Sequence, residues 1–182
     1  MAAFDYDALI VKIPDYPIPG VVFRDITTLL KDPAGFAAVI DGIADHFSDA
    51  GVTKVVASEA RGFMIGAPVA HKLGAGFVPA RKPGKLPRET RKQEYALEYG
   101  TDVLEIHDDA IEPDDVVLIV DDLVATGGTA VAQAQLVESF GAKLVGFGFL
   151  MELVDLKPRE IIAKTTDVEV FSLVQVHEPK PE

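Results

Sequence analysis

The spacing of apolar residues along the chain predicts alternating helices and strands. After Asp32 and Pro33, a capping residue and a proline suited to the first helical position, apolar residues recur at helical spacing, which predicts a helix that ends at Gly51. The pattern then predicts a strand, a helix and a strand at residues 54–58, 63–73 and 76–80. This order is a βαβ unit, which implies parallel strands joined by a right-handed crossover.

The same order returns in the second half of the chain. A strand is expected at 116–120, a helix at 128–140 that stops at Gly141, and a strand at 144–150. Residues 95–99 and 103–107 alternate in polarity around a Gly-Thr-Asp turn, which predicts an antiparallel hairpin. The whole pattern predicts an α/β fold with a central, mostly parallel β-sheet flanked by helices.

Residues 81–95, between the two halves, have no apolar periodicity. Because this stretch of Lys, Arg, Pro and Gly cannot bury itself, we expect a mobile loop. Six of the 17 basic residues fall within positions 81–92 of a chain whose net charge is −12. A local basic segment in an acidic protein indicates a small phosphorylated substrate.

Composition narrows the possible functions. A length of 182 residues with 25% charged residues predicts one soluble domain over residues 1–182. The lack of cysteine excludes disulfides and thiolate chemistry and leaves oxygen ligands, which favour magnesium. The net charge argues against a nucleic-acid partner. Since there is neither a bilayer-spanning apolar stretch nor a signal-peptide pattern at the start, we expect a cytoplasmic protein with no membrane partner.

The most informative stretch is 116–129. An apolar strand delivers Asp121 and Asp122 to its carboxyl end, where ligands bind in open parallel sheets. The glycine-containing turn after it can hold a phosphate through backbone N–H groups, hydroxyls and the positive end of the next helix. The phosphate-binding residues predicted here are Ala125, Thr126, Gly127, Gly128 and Thr129.

The neighbouring carboxylates restrict the ligand further. They would repel a bare phosphate, so the ligand should also carry sugar hydroxyls or a divalent cation, and a ribose 5-phosphate meets both demands. The stretch lacks the lysine of a P-loop and the glycine spacing of a dinucleotide-binding motif. The alternative is an ordinary strand-to-helix turn with solvated acids.

This apolar run, with its two acids and Thr-Gly-Gly-Thr, resembles the phosphoribosyl-pyrophosphate motif of the type I phosphoribosyltransferases. Similar segments at 17–27, 59–63, 81–87 and 97–100 extend the resemblance over nearly the whole chain. The Pro-Gly-Val-Val-Phe-Arg-Asp segment points to the adenine-specific branch. The resemblance implies the type I phosphoribosyltransferase fold, with an amino-terminal hood at about 1–30 and a flexible lid loop at 81–95.

The resemblance also implies a reaction. The phosphoribosyl group of 5-phosphoribosyl-1-pyrophosphate (PRPP) would pass to N9 of adenine and give AMP and pyrophosphate, with Mg²⁺ as cofactor and in a homodimer. Pyrophosphate would leave first, its charge neutralised by Mg²⁺, Arg61 and the lid cations, while the lid excludes water. The substrate would provide most of the Mg²⁺ ligands, and Asp121 and Asp122 would lie near the ion.

Site residues follow from the same resemblance. Pyrophosphate binding is assigned to Glu59, Ala60, Arg61, Gly62, Arg81, Lys82 and Lys85. The turn at 59–62 lies between a strand and a helix, so its amides and Arg61 can hold an anion, and the resemblance implies a non-proline cis peptide within it. Arg81 is expected to reach across the dimer interface. A helix-capping turn with a surface arginine is the alternative.

Adenine is assigned to the hood. Backbone groups of Val22 would bind the base edge, the Phe23 ring would stack on the base, and Arg24 would order the segment. From the sequence alone, Phe23 in a core is the plainer interpretation. The residues assigned to catalysis are Arg61, Asp121, Asp122 and Glu98. Among them, Glu98 would accept or donate the proton of the base. Tyr99 is expected to lie next to the closed lid.

Two other functions stay open at this point. A transferase for xanthine, hypoxanthine or uracil would share the phosphoribosyl site and differ in the hood. A non-catalytic regulator that binds PRPP would need a basic DNA-reading element, which neither the net charge of −12 nor the amino-terminal segment offers.

Overall fold

Residues 4–96 and 101–177 are described by the computed structural model. The elements, in chain order, are β1 (Val11–Pro14), β2 (Val22–Asp25), α1 (Thr27–Leu30), α2 (Pro33–His46), β3 (Lys54–Ser58), α3 (Arg61–Leu73), β4 (Gly76–Ala80), β5 (Thr90–Ala96), β6 (Thr101–His107), β7 (Val116–Val124), α4 (Gly128–Ser139), β8 (Lys143–Leu153), α5 (Pro158–Ile162) and β9 (Glu169–Val176). The predicted α/β fold is confirmed.

The central sheet has five parallel strands in the order β4-β3-β7-β8-β9. Alternate residues of β7 enter two different hydrophobic clusters, because successive side chains of a strand point to opposite faces. Val117 and Ile119 pack in the cluster that contains α4, and Leu118 and Val120 pack with α2 and α3. Helices therefore cover both faces and leave the carboxyl ends of the strands free to form a site.

The long helix α2 begins as predicted and ends earlier. The Asp32 side chain accepts a hydrogen bond from the Gly35 backbone N–H at 2.7 Å, which caps the first turn. The helix ends at His46, and the chain continues in turns to Gly51. Gly51 has a φ of 69°, so this glycine ends the turns and not the helix.

Strand β7 continues further than predicted, through both aspartates to Val124. The reason is its partner strand: β7 pairs with β8 up to Val124 and Glu152. Asp121 and Asp122 are therefore neighbours within a strand and not the start of a turn. Their side chains point to opposite sides, so they lie in different surroundings.

The predicted loop at 81–95 is wrong over its second half, because β5 pairs with β6 from Thr90 to Ala96. Apolar periodicity could not reveal this strand, since it is fixed by polar partners. Lys92 Nζ lies 2.7 Å from Glu105 Oε1, and the Arg91 guanidinium stacks on the Phe140 ring at 4.0 Å. The irregular part of the loop is 82–89. An antiparallel hairpin is confirmed here, but the predicted bounds are wrong: its first strand is 90–96 instead of 95–99, and Thr101 and Asp102, expected in the turn, pair with Ala96 and Tyr95. Residues 97–100 lie outside the described residues.

The amino-terminal segment forms a small sheet of its own. Strands β1 and β2 pair antiparallel, with Val11 opposite Asp25 and Pro14 opposite Val22. Strand β9 and helix α5 were not predicted from the sequence. Within the described ranges, no helix is long and apolar enough to span a membrane. Cytoplasmic location stays a prediction.

Candidate active site

Three adjoining cavities lie at the carboxyl ends of β3 and β7, and Leu123 lines all of them. We call them the phosphate cradle, the central cavity and the hood cavity. The cradle and the central cavity share Asp121 and Thr129. The central and hood cavities share Arg61 and Asp122. An elongated ligand could therefore occupy all three in sequence.

The phosphate cradle, a cavity of about 110 Å³, is formed by the turn from β7 into α4. It is lined by Asp121, residues 123–130, Gln133 and Phe149. Gly127 has a φ of 89°, and a Cβ atom there would lie 3.0 Å from the Pro158 carbonyl oxygen, so the turn requires glycine. The first N–H groups of α4 have no partner within the helix and point toward the turn. All five residues predicted to bind phosphate, Ala125 to Thr129, lie here.

Asp121 is buried between the cradle and the central cavity. Its carboxylate accepts hydrogen bonds from the Ser58 hydroxyl and, at 2.9 Å, from the Asp122 backbone N–H. Burial, together with the Asp122 charge, raises the pKa of Asp121 to about 8 against the lowering effect of these hydrogen bonds. At Gly62, the second residue of α3, a Cβ atom would lie 2.5 Å from Asp121 Oδ1, so a larger residue would displace either the carboxylate or the helix.

Asp122 holds Arg61 at the junction of the central and hood cavities. Arg61 Nε lies 2.9 Å from Asp122 Oδ2, and the Arg61 side chain is 42% exposed. The guanidinium also lies over the Phe23 ring, 5.7 Å from its centroid. Arg61 is thus held by a carboxylate and an aromatic ring, and it lines both the central cavity and the hood cavity.

The hood cavity, about 140 Å³ in volume, is mostly apolar. It is lined by Val21, Val22, Phe23, Arg24, Ile26, Arg61, Asp122, Leu123, Met151 and Leu153. Phe23 is half-buried, with Tyr16 edge-on to it at 5.3 Å between ring centroids. The structure therefore brings the three residues predicted to bind adenine to one cavity and places Phe23 at its wall instead of in the core.

The central cavity, about 240 Å³ in volume, contains part of the predicted pyrophosphate site. Glu59, Ala60, Arg61 and Lys82 line it, and the Glu59–Ala60 peptide is cis, as the resemblance implied. Lys82 Nζ lies 3.0 Å from Asp102 Oδ2, and Tyr95 donates its hydroxyl to the same carboxylate at 3.3 Å. The hydrogen bond and charge of Asp102 raise the pKa of Lys82, so this cation stays charged.

Glu59 and Arg81 are bound to each other. Arg81 Nη2 donates to Glu59 Oε2 at 2.9 Å, and the Lys82 backbone N–H donates to Glu59 Oε1 at 2.5 Å. The hydrogen bond from Lys82 lowers the pKa of Glu59, and Arg81 lowers it further. The Glu59 side chain thus anchors the start of the loop. Arg81 has a partner in its own chain, and its predicted contact across a dimer interface stays a prediction. The predicted role of Lys85, an exposed residue, in binding pyrophosphate also stays a prediction.

Ser58, Tyr95, Asp102 and Gln133 line these cavities and were missed from the sequence. The sequence offers no signal for Tyr95 or Asp102, whereas Ser58 is a polar residue at the end of an apolar strand and Gln133 is a polar residue among the apolar positions of its helix. Glu98 and Tyr99 lie outside the described residues, and their roles stay predictions.

The acidic side chains at the cavities cannot form a complete metal site by themselves. Within the described ranges, no group of three or more His, Asp or Glu side chains could hold an ion. Asp121 and Asp122 offer hard oxygen atoms beside the central cavity, which suits Mg²⁺ that arrives with phosphate oxygens as its other ligands. The residues therefore fit a metal bound mainly by substrate.

Comparison with known proteins agrees with this geometry. A phosphoribosyl transferase domain matches residues 25–179. An adenine phosphoribosyltransferase from Erwinia tasmaniensis is 55% identical over 165 residues, covering 91% of this chain and 90% of the relative. The crystal structure of the adenine phosphoribosyltransferase from Thermoanaerobacter pseudethanolicus superimposes with a TM-score of 0.89 at 48% identity, covering 94% of this chain and 98% of that one.

A further solved relative contains ligands. The adenine phosphoribosyltransferase from Saccharomyces cerevisiae, in complex with an imino-altritol bisphosphate and adenine, gives a TM-score of 0.85 at 39% identity and covers 92% of this chain and 96% of its own. The predicted type I phosphoribosyltransferase fold is thereby confirmed. The chain belongs to the phosphoribosyltransferase family, within its adenine phosphoribosyltransferase branch.

Proposed function

We propose that this enzyme transfers the phosphoribosyl group of PRPP to N9 of adenine and releases AMP and pyrophosphate. The observation that carries the proposal is the row of three cavities, which match the three parts of the reacting pair. The hood cavity takes adenine, the cradle takes the 5-phosphate, and the central cavity between them takes the ribose and the pyrophosphate.

Adenine binds in the hood cavity because that cavity is apolar and bordered by an aromatic ring. Phe23 stacks on the purine, and backbone groups of Val22 in β2 bind its edge. The base then lies beside Arg61 and Asp122, at the opening into the central cavity. This position directs N9 toward the ribose carbon held there.

Departure of pyrophosphate is favoured by charge in the central cavity. Arg61 and Lys82 face the leaving group, and the amides of the turn after β3 add hydrogen-bond donors. Mg²⁺, when bound with PRPP, neutralises further negative charge on the pyrophosphate. Asp121 and Asp122 accept hydrogen bonds from the ribose hydroxyls on the other side.

Further parts of the mechanism come from the family resemblance. We propose that Glu98 handles the proton of the base, that the loop at 82–89 closes with Tyr99 to exclude water, and that Arg81 and Lys85 approach pyrophosphate on closure. The enzyme works as a cytoplasmic homodimer, in which Arg81 exchanges its Glu59 partner for a group across the interface.

The assay of adenine and PRPP with and without magnesium tests this proposal. AMP formation should require magnesium, and hypoxanthine, xanthine and uracil should compete with adenine only weakly. Preferred turnover of one of those bases would assign the chain to a sibling transferase. Binding of PRPP without turnover of any base would indicate the regulator instead.

A further inference from the structure

Gln133 lies in the second turn of α4, and its side chain is buried against the phosphate cradle. The residue is 1% exposed and lines the same cavity as the turn at 125–129. Its Nε2 atom has no hydrogen-bond partner among the described residues. A buried donor without a partner destabilises a protein, so this amide requires an explanation.

The position of Gln133 in the helix directs it toward the cradle. It follows Thr129 by four residues, so the two lie on the same face of α4, and helical side chains lean toward the amino-terminal end. Thr129 itself lines both the cradle and the central cavity. The glutamine is therefore placed one turn below the first helical amides.

A purely structural role explains this residue poorly. Asp121, Thr126 and Thr129 line the same cavity and carry oxygen atoms, but none of them accepts a hydrogen bond from its Nε2 group. The inner face of α4 is otherwise apolar, with Ala134 and Val137 buried in the same cluster. Methionine or leucine would fill this space without the cost of burying an unpaired amide.

We propose that Gln133 is a ligand-binding residue whose Nε2 group donates a hydrogen bond to the 5-phosphate from the floor of the cradle. A phosphate monoester has three terminal oxygens, so it can accept from the amides of the turn and from Gln133 together. The last side-chain torsion of glutamine is soft, so a small rotation is enough to direct the N–H group. This inference depends on phosphate binding in the cradle, as proposed above.

Titration calorimetry with ribose 5-phosphate tests it. Gln133→Met keeps the length of the side chain and removes the donor, and it should weaken binding about tenfold, as expected for a hydrogen bond to a charged group. Gln133→Glu should weaken it more, because a carboxylate then faces the phosphate. Gln135→Met is the matched control: Gln135 is half-buried in the same helix and does not line the cradle, so affinity should be unchanged.

Two further measurements separate binding from structural support. In the Met variant, the KM for PRPP should rise while the KM for adenine stays constant. Without ligand, this variant should melt at or above the wild-type temperature, because the unpaired amide is gone. Equal affinity of wild type and Gln133→Met for ribose 5-phosphate would overturn the role of Gln133 alone. Failure of the wild type to bind ribose 5-phosphate would overturn the cradle assignment as well.

Discussion

The cradle side and the loop side of the active site are built in different ways. The cradle consists of backbone groups and buried side chains that the sheet and α4 hold in place, with Asp121 and Gln133 almost inaccessible to solvent. The loop side consists of exposed charged pairs. Lys82 is bound to Asp102 and Arg88 to Asp109, and both cations are 59% exposed.

This difference implies that the cradle binds phosphate without moving, whereas the loop side changes its ion pairs when substrate binds. The cradle needs little rearrangement to accept a phosphate, because its shape is fixed by the core. The cations on the loop side are bound by carboxylates that a pyrophosphate can replace, since exposed ion pairs contribute little stability. Displacing the buried groups beside the cradle should therefore lower kcat/KM the most, whereas removing a single donor, in the cradle or in the loop, should mainly raise the KM for PRPP.

The largest loss is expected from Gly62→Ala. The new Cβ atom would lie 2.5 Å from Asp121 Oδ1, so either the buried carboxylate or the start of α3 must move. A displacement of this kind at reacting groups costs on the order of 100-fold in rate, and we expect that loss in kcat/KM for PRPP.

The control is Gly66→Ala in the same helix, where a Cβ atom would lie 2.6 Å from the Ala57 Cβ atom. This variant should lose thermal stability, because the clash is in the core and away from the cavities. Normal kcat/KM in Gly62→Ala, with the fold intact by circular dichroism, would contradict the placement of Asp121 in the site.

A smaller effect is expected from Lys82→Met. Lys82 belongs to the loop and lines the central cavity. Its loss should raise the KM for PRPP about tenfold, because a hydrogen bond between charged groups contributes about that much to binding. The KM for adenine should stay unchanged. Arg88→Met removes a cation of the same loop that pairs with Asp109, and it should leave both constants unchanged. If both variants raised the KM for PRPP equally, the effect would come from the total positive charge of the loop and not from a contact between Lys82 and the substrate.

The cradle could be predicted from the sequence because its signals are local. An apolar strand, two acids, a glycine turn and a helix follow one another from 116 to 139, so neighbours in sequence are neighbours in the site. The end of β7 was placed too early because the pairing of Val124 with Glu152 is a long-range contact. The hood assignments came from family resemblance, since Phe23 alone also suited a core.

Elements that are held in place by polar side-chain pairs could not be predicted from apolar periodicity. Strand β5 depends on pairs such as Lys92 with Glu105, and α5 is bound through two hydrogen bonds from Arg159 to the buried Glu152. Gln133 did leave a signal, because it is a polar residue on the apolar face of α4 between Ala130 and Val137. Only the fold shows that this face lies against the cradle.

The smallest effect is expected from Ser58→Ala, which should appear as a shift in pH dependence. The Ser58 hydroxyl lowers the pKa of Asp121, which burial has raised to about 8, so its removal should raise that pKa further. If the ionised carboxylate accepts from the ribose, the acid limb of kcat/KM should move upward by about one pH unit.

The Asp121 carboxyl should also make the stability of the free enzyme depend on pH. Because the folded pKa of Asp121 lies above its ordinary value of 3.8, the folded state binds the extra proton between these values. The free enzyme should therefore lose stability as the pH rises from about 4 to 8, and Asp121→Asn should remove this part of the slope. Thermal melts of both proteins across this range measure it. An unchanged slope in the Asn variant would mean that Asp121 is ionised at neutral pH, and the acid limb would then belong to another group.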